Sequence, residues 1–239
     1  MIPKIIHYCW FGGNEIPRNL KKCMKSWEKF CPDYEIKRWD ETNFDIECHP
    51  FVKKAYEKGA WAFVSDYARL KIIYDNGGIY LDTDVELKKN LDFLLVYPAY
   101  IGIQQNGLLC TTGLGFGAEK NSLIVYKMMQ RYNEINFAQK DKLEIACPWM
   151  NDSVIREQVG KIDPESVNYH PDITIYPPCY FDPISTGETK QLLCADTVSI
   201  HHYAATWLGK KQRYKRAIAQ LLGPNIVNIV KKTKKILLR

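Results

Sequence analysis

Asp82 and Asp84 stand one residue apart in Ile79-Tyr80-Leu81-Asp82-Thr83-Asp84, directly after a Gly77-Gly78 pair. Side chains alternate in an extended segment, so both carboxylates face one side if the strand persists through them. Two hard oxygen donors so placed suit Mg²⁺ or Mn²⁺, ions that keep coordination positions for water and phosphate. Asp66 and Arg69 are three residues apart in the preceding stretch and share a face if it is helical. Arg69 would meet phosphate or sugar hydroxyls, with Asp66 orienting it or binding a hydroxyl itself; a plain helix-face ion pair is the alternative. Far along the chain, His201-His202 offers imidazole, which Mn²⁺ tolerates better than Mg²⁺. The two rings point to opposite faces of an extended chain, so only one of His201 and His202 is expected to ligate, and the position just after a predicted strand favours His201. Trp10, ahead of Phe11-Gly12-Gly13, could stack on a base or pack in the core. Asn151 and Asp152 would touch a sugar or acceptor, or cap a helix. His7, inside a predicted strand, reads as structural.

The elements that must carry these residues are legible in the apolar spacing. Residues 62–76 place Phe63, Tyr67, Leu70 and Tyr74 at helical intervals, and Gly77 supplies a helix exit. Residues 79–81 are β-branched and aromatic, as a buried strand requires. Upstream, the pattern predicts a strand over 4–10, a helix over 17–30, a strand over 34–39 and a short helix over 51–58. Downstream it predicts strands over 99–104, 112–117, 173–176 and 197–201, and helices over 121–137 and 148–159. Strand and helix alternate through the first half, which implies an α/β fold built on a parallel sheet with helices on both faces. Ligands bind beyond the carboxyl ends of such strands, and Trp10 and Asp82 both fall at that edge.

Ser65-Asp66-Tyr67-Ala68-Arg69 running into Gly77-Gly78-Ile79-Tyr80-Leu81-Asp82-Thr83-Asp84 resembles the sugar-binding region of the family-32 glycosyltransferases. These include bacterial capsular polysaccharide transferases, fungal mannosyltransferases and, more distantly, the glucosylating clostridial toxins. The resemblance extends to residues 2–13, IPKIIHYCWFGG, and to His201-His202-Tyr203-Ala204-Ala205-Thr206-Trp207. It implies a GT-A-like fold, a single Rossmann-like nucleotide-sugar domain with a mixed central sheet over residues 1–208. It implies a metal-dependent, retaining hexosyltransferase using a nucleotide-sugar donor, UDP-sugar favoured, to extend a glycan in capsule or other surface polysaccharide synthesis. By the same resemblance Trp10 stacks on the uracil and Asp84 binds the ion directly. Asp82 contacts ribose and ion, and Asp66 and Arg69 reach donor sugar and phosphate. Tyr80 packs against ribose or sugar, and Trp207, helped by Thr206, closes over the diphosphate. Paired aspartates also suit a metal-dependent nucleotide phosphohydrolase, the alternative reading, which has no use for either tryptophan.

Composition bounds the rest. The 239 residues are 46% hydrophobic and 25% charged, ordinary for a globular protein. Neither a run of about 18 apolar residues nor a signal-peptide layout occurs, which leads us to expect a cytoplasmic protein. The eight cysteines are scattered without zinc-like spacing and read as free thiols. The net charge of +6 hides an asymmetry: residues 209–239 hold ten basic residues and no acid, leaving 23 basic against 27 acidic residues in 1–208. Within that tail Ile226, Ile229, Val230, Ile236 and Leu237 share a helical face opposite most lysines. Such C-terminal basic amphipathic helices can lie on an anionic membrane surface, so a peripheral location on the inner face of the cell membrane and a lipid-linked glycan acceptor are expected. The alternative is a helix packed on its own domain. Nucleic acid is not an expected partner, since no binding motif occurs.

Overall fold

A computed structural model describes residues 1–135, 137, 147–185 and 191–204. Thr206, Trp207 and the basic tail over 209–239 lie outside the described residues. The chain opens with β1 (Ile5–Cys9), α1 (Arg18–Phe30), β2 (Glu35–Trp39), α2 (Pro50–Glu57), α3 (Trp61–Asn76) and β3 (Gly78–Tyr80). There follow β4 (Val85–Leu87), β5 (Ala99–Ile103), β6 (Cys110–Ala118), α4 (Leu123–Gln130) and α5 (Cys147–Val159). Last come β7 (Asn168–Tyr169), β8 (Thr174–Tyr176), α6 (Pro178–Phe181) and β9 (Ser199–His201).

Seven strands form one sheet in the order β2-β1-β3-β6-β5-β8-β7. β1 pairs in parallel with both β2 and β3, as the alternating pattern predicts. β6 then runs antiparallel to β3 and to β5 while β5 pairs with β8 in parallel, so the sheet is not parallel throughout but mixed, as the resemblance implies. No helix intervenes between β5 and β6, and a parallel return needs a crossover of a dozen residues or so, longer than the connection from Ile103 to Cys110. The predicted last strand is β9, but it pairs with β4 in a separate two-stranded sheet. The helix predicted over 121–137 ends at Gln130 and continues as a 3-10 turn over Arg131–Glu134.

Alternation along β3 divides the core. Ile79 and Leu81 join Trp27, Tyr8 and Val85 on the face covered by α1, while Tyr80 joins the Val64, Leu70 and Ile73 side of α3 on the other. α3 is buried nearly all round, which is why its sequence lacks a polar stripe. α1 is the opposite case, with Leu20, Cys23 and Trp27 inside and its lysines outside. Trp27 is fully buried and its Nε1–H donates to Val85 O at 2.8 Å, while Ser26 Oγ accepts from Leu87 N at 2.8 Å. α1 thereby pins β4, the strand entered directly from Asp84.

The Gly77-Gly78 exit also serves packing. Gly77 takes φ +69°, and a Cβ at Gly78 would stand 2.8 Å from His7 Nε2 and 2.9 Å from Ile5 O. His7 is fully buried: Trp39 Nε1–H donates to its Nδ1 at 3.0 Å, so Nε2–H donates to Gly77 O at 3.0 Å. The imidazole staples β1 to the helix exit, and burial pushes its pKa down to about 4. The structural reading of His7 holds.

Candidate active site

Parallel pairing of β1 with β3 brings Trp10 and Asp82 to the same sheet edge, with Leu81 N donating to His7 O at 3.0 Å. A cleft of about 670 Å³ opens there, with Trp10, Asp66, Arg69, Asp82, Asp84 and His201 among its lining residues. That volume lies within the range of small-molecule sites.

α3 presents Asp66 and Arg69 from one face, as the three-residue spacing requires. Arg69 Nη2 lies 3.1 Å from Asp66 Oδ1 and 3.3 Å from Asp82 Oδ1, and its Nε–H donates to Ser65 O at 3.1 Å. The guanidinium sits 4.7 Å from the centre of the Tyr80 ring, whose hydroxyl donates to Asp82 Oδ1 at 3.1 Å. Arg69 is thus a buried cation shared by two carboxylates and an aromatic face, an arrangement that lysine's point charge would not reproduce. Burial raises the pKa of both Asp66 and Asp82, and the Arg69 charge opposes the rise in each. Asp66 also receives hydrogen bonds from the backbone and thiol of Cys147 at the start of α5, which ties the cleft's far wall to α3.

The strand does not persist through the aspartates. β3 ends at Tyr80, and Asp82 to Asp84 form a turn closed by Val85 N donating to Asp82 O at 2.9 Å. The two carboxylates converge through that turn rather than through strand alternation. Pairing of β4 with β9 sets Val85 opposite His201 and completes the corner. His201 Nε2 lies 3.1 Å from Asp84 Oδ1, and Ala204 N donates to Asp84 Oδ2 at 2.7 Å. Burial works against the Asp84 charge, but the His201 ring and the Ala204 N–H outweigh it and hold the carboxyl down to about 2.

Three ligand atoms, one each from Asp82, Asp84 and His201, lie within 4.8 Å of one another. Two carboxylates and an imidazole fit a divalent cation, with open positions for a diphosphate. His201 Nδ1 is buried and has no hydrogen-bond partner among the described residues, so Nε2 is the ring nitrogen turned to the corner. His202 does not join the cluster: it faces Glu86 Oε2 at 2.9 Å with its side chain 45% exposed, the opposite side of the extended chain. Of the two histidines expected from the sequence, the structure brings only His201 to the corner.

Asn151 and Asp152 are not brought to the cleft. Both are buried in α5, where Asn151 Nδ2 donates to Thr112 Oγ1 at 3.1 Å and Asp152 accepts from Cys110 N at 2.9 Å and Arg156 Nε at 2.7 Å. They fasten α5 to β6. Tyr80 is buried under Arg69 and forms the cleft floor. Trp10 is half-buried, its Nε1–H tied to Asn14 O at 2.6 Å, which fixes the indole in the cleft wall.

Sequence reasoning missed Gly113 and Tyr203. A Cβ on Gly113 of β6 would stand 2.9 Å from Asp82 Oδ2 and 3.6 Å from Arg69 Nη1, so the strand must be bare there for Asp82 to keep its place. The run Gly113-Leu114-Gly115-Phe116-Gly117 carried the signal, since glycine inside a strand marks a close approach.

Residues 17–105, from the start of α1 to just past β5, match the family model described as a glycosyltransferase sugar-binding region containing a DXD motif. Residues 17–105 of this chain thus carry a sugar-binding region of the DXD-containing glycosyltransferase type. The chain is 38% identical over 104 residues to inositol phosphoceramide mannosyltransferase 3 of Schizosaccharomyces pombe, covering 42% of this chain and 29% of the relative. It is 37% identical over 105 residues to an uncharacterised glycosyltransferase of Acanthamoeba polyphaga mimivirus, covering 39% of this chain and 40% of the relative. The chain therefore matches less than half the length of these curated relatives. In structure it is similar to the PaToxG glycosyltransferase, with a TM-score of 0.55 and 20% identity over 69% of this chain and 71% of that one. At that identity the likeness is one of fold, and it makes the α/β architecture GT-A-like. The family resemblance read from the DXD segment is borne out, while the motifs at 2–13 and 201–207 fall outside the matched residues.

Proposed function

We propose that the protein transfers a hexose from a nucleotide-sugar donor to a glycan acceptor, with retention of configuration, and that a divalent cation, Mn²⁺ ahead of Mg²⁺, is held by Asp82, Asp84 and His201. The observation that carries this reading is the convergence of those three ligand atoms within 4.8 Å at the edge of a cleft that also holds Trp10. The cation would neutralise the charge that develops on the departing diphosphate. Trp10 offers its ring to the base, and the Trp10–Asn14 bond preorganises it. Arg69 commits its guanidinium to Asp66 and Asp82, so its part is to hold both carboxylates where sugar and ribose hydroxyls can reach them. Asp66, tied to α5, is the hydroxyl acceptor on the sugar side. Thr206 and Trp207 are assigned by resemblance to the closing segment over the diphosphate.

A fungal relative is named for mannose and for a lipid acceptor, inositol phosphoceramide. That name supports keeping a mannose donor, GDP-mannose in this reading, beside the UDP-sugars, and it supports a lipid acceptor. The basic tail over 209–239 would hold a cytoplasmic enzyme against an anionic membrane where such acceptors lie. A product-release screen tests the assignment: UDP-hexoses, UDP-N-acetylglucosamine and GDP-mannose are offered with Mn²⁺ and a lipid extract. Release of one nucleoside diphosphate with label passing to an acceptor is expected. Turnover of free UDP or GDP to the monophosphate, with no sugar moved, would instead identify a phosphohydrolase.

A further inference from the structure

A histidine that binds a metal normally donates its other ring N–H to a carboxylate, carbonyl or water, which fixes the ring's orientation. Among the described residues no protein group fills that place for His201, whose buried Nδ1 has no hydrogen-bond partner there. What the ring has instead is Tyr203, whose ring centre lies 4.1 Å away at an interplanar angle of 56°. Tyr203 adopts φ +48°, a left-handed region that non-glycine residues adopt uncommonly. The turn made there has a visible use: His202 N donates to Asp84 O at 3.0 Å on one side of Tyr203, and Ala204 N donates to Asp84 Oδ2 at 2.7 Å on the other.

Something must hold the tyrosine in that conformation. Its hydroxyl donates to Asp182 Oδ2 at 2.8 Å, and Ser185 Oγ approaches the same hydroxyl at 3.4 Å. Asp182 follows α6 and is fully buried, and its Oδ2 also accepts from Gln105 N at 2.7 Å, just beyond β5. The carboxylate is thus anchored in the main sheet's end, while Tyr203 belongs to the segment leaving the small β4–β9 sheet. The Tyr203 hydroxyl and the Gln105 N–H are two of the donors that offset the carboxylate's burial, and Asp182 Oδ1 has no hydrogen-bond partner among the described residues. Asp182 does not line the cleft, whereas Tyr203 and Ala204 do.

We propose that Tyr203, latched by its hydroxyl to Asp182, is the positioning residue for the metal-binding corner: its ring holds the His201 imidazole and its turn delivers the Ala204 N–H to Asp84. The inference rests on the divalent-cation reading of Asp82, Asp84 and His201. It separates two jobs in one side chain, the ring against His201 and the hydroxyl on Asp182.

The test uses the full chain and Mn²⁺ alone, titrated by the loss of the free-ion electron paramagnetic resonance signal. Tyr203→Phe keeps the ring and removes the latch; Tyr203→Leu removes both. Mn²⁺ affinity is expected to fall about tenfold in Tyr203→Phe and further in Tyr203→Leu, within the 10–100-fold range typical of outer-shell partners. In a His201→Ala background the Tyr203→Phe effect is expected to shrink, because the group it orients is gone. Thermal melting in EDTA separates this from a structural role: a purely structural tyrosine would lower the melting temperature while leaving Mn²⁺ affinity unchanged, and that result overturns the proposal. Wild-type protein that fails to bind Mn²⁺ would remove the metal reading and this inference with it. Wild-type binding matched by Tyr203→Phe would remove this inference alone.

Discussion

Replacing Arg69 by methionine removes a buried guanidinium from the cleft. The side chain is 5% exposed and its guanidinium serves Asp66 at 3.1 Å and Asp82 at 3.3 Å. Methionine fills comparable volume, so little of the effect comes from a cavity. What remains is two carboxylates facing a site that no longer neutralises them. Breaking a buried pair by deleting one partner costs about 3–5 kcal/mol. Asp82 keeps partial solvent contact, at 27% exposure, and Asp66 retains its hydrogen bonds from Cys147, so the lower end applies and a loss of about 3 kcal/mol is expected. Adding Asp66→Asn removes one of the stranded charges while keeping a hydrogen-bond acceptor. The double variant should therefore be more stable than Arg69→Met alone, with a coupling of about 1–2 kcal/mol. Urea unfolding followed by far-ultraviolet circular dichroism, in EDTA at neutral pH, measures both. An Arg69→Met variant within about 1 kcal/mol of wild type, or a double variant losing the sum of the two single losses, would refute the claim that Arg69 neutralises both carboxylates.

Three further outcomes follow from named contacts. His7 is buried neutral with a pKa near 4 against an ordinary 6.5, so the unfolded chain takes up a proton that the native state refuses as pH falls through that window; about 3 kcal/mol of stability should be lost between pH 6.5 and 4, and His7→Gln should flatten that part of a stability–pH curve. Gly113→Ala should displace Asp82, 2.9 Å from the added carbon, and weaken Mn²⁺ binding in calorimetry while the circular dichroism spectrum stays that of wild type. Trp10→Leu should raise the dissociation constants of UDP and GDP by about tenfold each, the scale of one aromatic–base stack; an unchanged constant would return Trp10 to the role of wall packing.

The first half of the fold was legible because its elements are local and strongly periodic. α3, its glycine exit and β3 lie in consecutive residues, and their order alone puts Asp66, Arg69 and Asp82 near one another. The second half was read less well because its decisive facts are long-range. Whether β6 returns parallel or antiparallel is settled by connection length and neighbour choice, and neither leaves a periodic mark. The pairing of Val85 with His201 crosses over a hundred residues, and β4 is too short, at three residues, to announce itself. Asn151 and Asp152 were misplaced for a related reason: a polar pair at the head of a helix reads the same whether it faces a ligand or the edge of a strand, and only the packing of α5 on β6 decides. The convergence of Asp82 and Asp84 was expected from strand alternation, but a turn achieves it. Tyr203 stands inside the motif at 201–207, but its link to Asp182 leaves no mark in sequence, since it depends on a backbone turn at a non-glycine residue.

The central claim is that Asp82, Asp84 and His201 hold a cation through which a nucleoside diphosphate binds. Isothermal titration of UDP and GDP into the full chain, in Mn²⁺ and again in EDTA, tests it most directly, with Asp84→Asn as the companion. Binding of at least one diphosphate in Mn²⁺ is expected, lost in EDTA and lost in Asp84→Asn. Equal affinity in EDTA, or an Asp84→Asn variant that binds like wild type in Mn²⁺, would contradict the account.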